Sequence, residues 1–132
     1  MEIHRESWRQ PDQLVRLINE FKIRPILWDS TQENYFKNKK QRQTGLIEIA
    51  SIFDTTIHDI DRRWRNLRTI YRRELKKVLE EGQNGRPVKV KWFPYPYMNA
   101  FLYRVCVKEQ EQERGVQFLE DLVNVEIEVI HH

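Results

Sequence analysis

From Asp59 to Leu79 the apolar side chains recur at spacings of four, three, four, four and three, through Ile60, Trp64, Leu67, Tyr71, Leu75 and Val78. At about 100° per residue they fall in one narrow sector, which predicts a long amphipathic helix with a single buried stripe. Thr56-Ile57-His58-Asp59 stands just ahead of the stripe as a Thr-x-x-Asp capping box, and Glu81-Gly82 marks the expected end.

The same pattern places an earlier helix from Pro11 to Lys22, where Leu14, Leu17, Ile18 and Phe21 follow an i, i+3, i+4, i+7 stripe and proline suits the first position. Ile23-Arg24-Pro25 ends it, because the residue before a proline is pushed out of the helical region. Ile26, Leu27 and Trp28 form an apolar knot ahead of a polar loop, Asp29 to Asn34. A second helix is expected over Asn38 to Phe53, with Leu46, Ile49, Ala50 and Phe53 inward. Gly45 in its interior costs about 1 kcal/mol relative to alanine.

Beyond a Gly- and Pro-containing loop, Gly82 to Pro87, the pattern changes. Val88-Lys89-Val90-Lys91-Trp92 alternates, and Phe93-Pro94-Tyr95-Pro96-Tyr97 reads as too rich in proline for a helix. Met98 to Val107 suits a short fourth helix whose Phe101 and Tyr103 pack on the bundle. Lys108 to Asp121 is helix-compatible but broken by Gly115, and Val123 to Val129 has the strict period of two that predicts a strand. Paired antiparallel with Val88 to Trp92, or with the same segment of a second copy, it would build a ribbon with Lys–Glu pairs on one face. Two other readings of the tail stand beside this one. It can stay disordered, or Ile127-Glu128-Val129-Ile130 can act as a SUMO-interacting motif that adds a strand to a partner sheet.

Charge sharpens the picture of the long helix. Arg62, Arg65, Thr69, Arg72, Arg73 and Lys76 lie opposite its apolar stripe, and Asp59 to Leu79 holds eight Lys/Arg against three Asp/Glu. Among the cations of that face only Glu74 stands as an acidic neighbour, so it does not read as a lattice of ion pairs. Such a face suits a negative partner, with nucleic-acid phosphate first, although solvated cationic helices are also common for solubility. The chain's net +3 is divided: residues 1–108 carry a net of +9 and residues 109–132 a net of −6.

Composition removes other classes. The 132 residues suit one domain with a short appendage, and 39% hydrophobic content with 11% aromatic supports a packed core. No apolar run approaches a membrane span, the first residues have no signal-peptide pattern, and Cys106 is the single cysteine; a soluble, intracellular chain with no internal disulfide is expected. There is no Gly-rich phosphate loop, Gly-x-Ser-x-Gly or His-Glu-x-x-His, and the histidines and cysteine have no metal-ligand spacing. Catalysis, a cofactor and a metal are not expected. His131 and His132 suit the start of a purification tag and carry no weight. Trp28, Trp64 and Trp92 are expected in the core, with Trp8 packed ahead of the first helix.

The chain resembles the MADF family of Myb/SANT-like domains over roughly residues 12 to 104. The resemblance lies in Leu17-Ile18, Arg24-Pro25-Ile26-Leu27-Trp28-Asp29, Tyr35, Lys39-Lys40, Ile49-Ala50 and Thr56. It is strongest at Arg63-Trp64-Arg65-Asn66-Leu67-Arg68 and Tyr71-Arg72-Arg73-Glu74-Leu75, and closes with Trp92 and Phe101-Leu102. Gly45 stands where the family usually has a bulky residue, and Phe93-Pro94-Tyr95-Pro96 looks like an insertion.

The resemblance implies an all-α, three-helix Myb/SANT-like bundle (residues 1–104) whose second and third helices form a helix-turn-helix, followed by an acidic tail (residues 105–132). It implies a nuclear transcriptional or chromatin regulator that binds duplex DNA through the third helix. The alternative is an adaptor that uses the bundle surface or the tail to bind nuclear proteins; fold alone does not choose between them. In a helix-turn-helix the N-terminal half of the recognition helix reaches base edges, which nominates Arg62, Arg65, Asn66 and Thr69 for the major groove. Arg72, Arg73 and Lys76 would meet the backbone. Lys39 and Lys40, within the cluster Lys37 to Arg42, would hold a flanking phosphate or form a solvated run.

Overall fold

The computed structural model describes residues 10–131, with side chains described for residues 10–115. Four α-helices and two 3₁₀ turns make up the described chain: α1 (Pro11–Lys22), α2 (Lys39–Ile52), α3 (Ile57–Gln83) and α4 (Tyr95–His131), with turns at Pro25–Leu27 and Tyr35–Lys37. Trp8 lies outside the described residues. The chain divides into two units, Met1–Leu102 and Tyr103–His132.

In the first unit, α1 starts with proline at its first position and buries Leu17, Ile18 and Phe21. Pro25 stops it as expected, and the turn that follows is tied back to it: the Trp28 indole N–H donates to the Phe21 carbonyl at 2.9 Å. Arg24 fastens the same corner. Its guanidinium donates to the Glu20 carbonyl at 2.8 Å and to the Glu48 carboxylate of α2 at 3.1 Å. Gly45 is buried, and a Cβ there would lie 3.3 Å from a Leu27 methyl. The helix-propensity cost of this glycine thus goes with a close approach of the Pro25–Leu27 turn to α2.

α2 ends in a Schellman motif: Thr55 N–H reaches the Ala50 carbonyl at 3.0 Å and Asp54 N–H the Ser51 carbonyl at 3.3 Å. Asp54 takes the left-handed position, φ 50°. The chain then enters α3 through the expected cap, with Thr56 Oγ1 accepting from the Asp59 N–H at 3.0 Å. The far end of α3 differs from expectation. The helix runs through Gly82 to Gln83, and Gly85 (φ 71°) is the residue that turns it off, with Arg86 N–H bonded to the Glu81 carbonyl at 2.8 Å. Of the two glycines, only Gly85 is needed for its backbone angle.

The aromatic core is built around Trp64 of α3. Phe21 stacks on it with centroids 4.2 Å apart, and Phe101 lies 6.3 Å away and meets Trp28 edge-on at 5.0 Å. Lower on α3, Tyr71 is fully buried, contacts the Tyr95 ring and donates its hydroxyl to Asn99 Oδ1 at 2.7 Å. Among the described tryptophans Trp64 is buried, while Trp28 and Trp92, expected in the core, are half-buried.

Expectations for the C-terminal third need correction. The proline-rich segment does not exclude a helix: Tyr95 and Pro96 open α4, where proline's missing N–H would have no intrahelical partner in any case. Tyr103, expected to pack on the bundle, is 45% exposed. Helix α4 passes through Gly115 and on to His131 as the backbone of the second unit. There is no strand among the described residues, so the Val88–Trp92 and Val123–Val129 ribbon is absent. An isolated two-stranded ribbon is marginal in water, whereas a nucleated helix gains one hydrogen bond for each residue added. One interior glycine, at about 1 kcal/mol, does not outweigh that.

Candidate nucleic-acid interface

Helix α3 separates its two chemistries as its sequence requires. Ile60, Trp64, Leu67, Tyr71 and Leu75 are buried, and Val78 is half-buried. On the opposite side Arg62, Arg65, Asn66, Thr69, Arg73 and Lys76 are exposed, with Arg72 half-buried. These seven nominated residues therefore share one helix face. Lys39 and Lys40 are brought to a different element, the exposed first turn of α2, beside the exposed Lys37.

The electrostatics of this face depart from expectation at its N-terminal end. Arg62 pairs with Asp59 at 3.1 Å, Arg63 with the same carboxylate at 3.1 Å, and Arg65 with Asp61 at 2.9 Å. Farther along, Glu74 lies 3.6 Å from Lys77 and 3.9 Å from Arg73. Asp59 and Asp61 stand three or four residues before their arginines, the spacing at which helical side chains meet. That spacing was legible in the sequence, and it shows that Glu74 is not alone. Two groups nominated to read bases thus hold a carboxylate in the free protein, through exposed pairs of small intrinsic worth.

Asp59 is the organiser of that end. Its backbone N–H completes the cap on Thr56, while its carboxylate accepts from the Thr55 hydroxyl at 2.8 Å and from Arg62 and Arg63. Partial burial pushes its pKa up, but the hydrogen bonds from Thr55, Arg63 and Arg62 and the charge of Arg63 outweigh this and hold it below the ordinary aspartate value.

Not every cation near the site is available to a ligand. Arg42, in the cluster before and within α2, lies over the Tyr35 ring at 4.7 Å and donates to the Tyr35 carbonyl, so it braces the second 3₁₀ turn. Arg24 is engaged with α1 and α2 as described above. The turn that Arg42 braces carries a side chain not singled out by the hydrophobic periodicity, Phe36, which is 82% exposed.

No group of three or more His, Cys, Asp or Glu side chains among the described residues could hold a metal ion. No helix among them is long and apolar enough to cross a membrane.

The first unit is all-helical, with packing centred on Trp64 and a cationic third helix. The sequence profile of the family described as Alcohol dehydrogenase transcription factor Myb/SANT-like, the MADF DNA-binding family, matches residues 17–102, and the chain belongs to that family. No curated protein and no solved structure gives a significant match.

Proposed function

We propose that the chain is the DNA-binding part of a nuclear transcriptional or chromatin regulator, with α2 and α3 acting as a helix-turn-helix and α3 lying in the major groove. Membership of a DNA-binding family supports the partner. The observation that carries the orientation is the exposed face of α3, on which Arg62, Arg65, Asn66, Thr69, Arg73 and Lys76 line up opposite the buried stripe from Ile60 to Leu75. Arg65 and Asn66 have the side-chain chemistry for guanine and adenine edges, while Arg72, Arg73 and Lys76 suit phosphates. Lys39 and Lys40 would clamp the strand alongside. Residues 1–104 would form the DNA-binding domain and residues 105–132 an acidic helical appendage for nuclear proteins or a second copy.

Duplex selection followed by substitution tests the reading. Asn66→Ala and Arg65→Ala should each relax preference at one base pair, at a cost of about 1–3 kcal/mol on the best site. Lys76→Ala should weaken binding to every duplex alike. If the three variants lose affinity equally on all sequences, α3 does not read bases.

A second reading is an adaptor module with little DNA binding. It is favoured by Phe93 and Tyr97, which pack on each other at 5.7 Å yet remain 41% and 40% exposed. Exposed aromatic pairs are common anchors for protein partners.

A further inference from the structure

Phe36 stands out among the exposed apolar side chains, with 82% of its surface open to solvent. Its position is fixed by its neighbours. Lys37 N–H bonds to the Asn34 carbonyl at 3.1 Å and Tyr35 N–H to the Gln32 carbonyl at 3.1 Å, closing the 3₁₀ turn on both sides. Arg42 holds the Tyr35 ring and carbonyl from α2, and the Tyr35 and Phe36 rings meet edge to face at 5.2 Å, with planes 87° apart. Tyr35 is thereby turned inward and half-buried, and Phe36 is turned out. A ring displayed on a braced turn has its backbone fixed before any partner arrives, which lowers the cost of using it.

The surroundings indicate the partner. Lys37, Lys39 and Lys40 are all exposed within four residues of Phe36. Lysine is depleted at the centres of protein interfaces, where its ammonium would have to be desolvated. An apolar ring flanked by lysines is instead the combination used on DNA by wedge side chains, in which cations hold phosphates while the ring enters a base step.

We infer that Phe36 is a wedge that inserts into the minor groove of the duplex held by α3, unstacking one base step while Lys39 and Lys40 bind the phosphates beside it. The inference rests on the DNA-binding reading and adds to it a deformation of the duplex and a sequence preference. Pyrimidine–purine steps such as TpA unstack most easily, so affinity should favour sites with such a step at the wedge position even though no side chain reads it by hydrogen bonds.

The test uses the full chain and a duplex of repeated TpA steps, with 2-aminopurine replacing adenine at those steps and a dye pair at the ends. The wild type should raise the 2-aminopurine fluorescence and the energy transfer between the ends. Phe36→Ala should abolish both signals and bind about tenfold more weakly, with an unchanged slope of affinity against salt. Because Phe36 is exposed, the variant should fold, as circular dichroism will check. Lys39→Ala with Lys40→Ala should do the reverse, reducing the salt slope while leaving the 2-aminopurine signal at saturation. If the wild type binds the duplex without changing 2-aminopurine fluorescence, or if Phe36→Ala retains affinity and both signals, the wedge is refuted while DNA binding stands. Failure of the wild type to bind any duplex at low salt overturns both.

Discussion

At the scale of single residues, Asp59 joins the start of α3 to its cationic face. It caps the helix on Thr56 and pairs with both Arg62 and Arg63. Its pKa is lower in the folded chain than in the unfolded one. Its contribution to stability is therefore present above the ordinary aspartate value and is lost as pH falls through the depressed folded value. Urea unfolding at a series of acidic pH values should show this loss, and Asp59→Asn should flatten it. Thr56→Ala, which removes the oxygen that accepts from Asp59, should cost about 1 kcal/mol in the same assay. Asp61 bears on binding. It holds Arg65 at 2.9 Å, so Asp61→Asn should free that guanidinium and raise duplex affinity at low salt. An unchanged or weakened affinity would mean that Arg65 does not meet the duplex.

At the scale of elements, the ends of the helices depend on particular backbone angles. Asp54 and Gly85 occupy equivalent positions, the first residue beyond a helix in the left-handed region, at φ 50° and 71°. An L residue tolerates that angle at a cost, moderated for aspartate by its short polar side chain. Asp54→Gly should consequently raise stability by roughly 0.5–1 kcal/mol, and Gly85→Ala should lower it by about 1 kcal/mol, both measured by chemical denaturation. The same positions explain what could be read from the sequence. Pro11 and Pro25 fixed α1 to the residue, because proline allows few conformations on either side of itself. Gly82 was the expected end of α3, but Gly85 turns the chain, because which glycine ends a helix depends on where the Schellman bonds close. In α4, the alternation from Val123 to Val129 was a short local signal set against helix already formed upstream, and propagation prevailed.

At the scale of the whole molecule, periodicity made the buried and exposed sides of α3 legible together, since packing Trp64 and Tyr71 inward leaves Arg62, Arg65 and Arg73 facing outward. Less legible was the electrical state of that face, because Asp59 and Asp61 count as ordinary helix-start residues until their reach to Arg62 and Arg65 is considered. Phe36 was hidden for a different reason: its exposure comes from a turn braced by Arg42, a contact that no repeat in the sequence encodes. The central claim is that the exposed cations of α3 exist to hold a duplex. Titration of the chain with duplex DNA across a range of salt concentrations tests it most directly. If Arg72, Arg73 and Lys76 each neutralise one phosphate, the logarithm of the association constant should fall with a slope of about −2.7 against the logarithm of salt concentration. Absence of binding at low salt, or an affinity indifferent to salt, would contradict it.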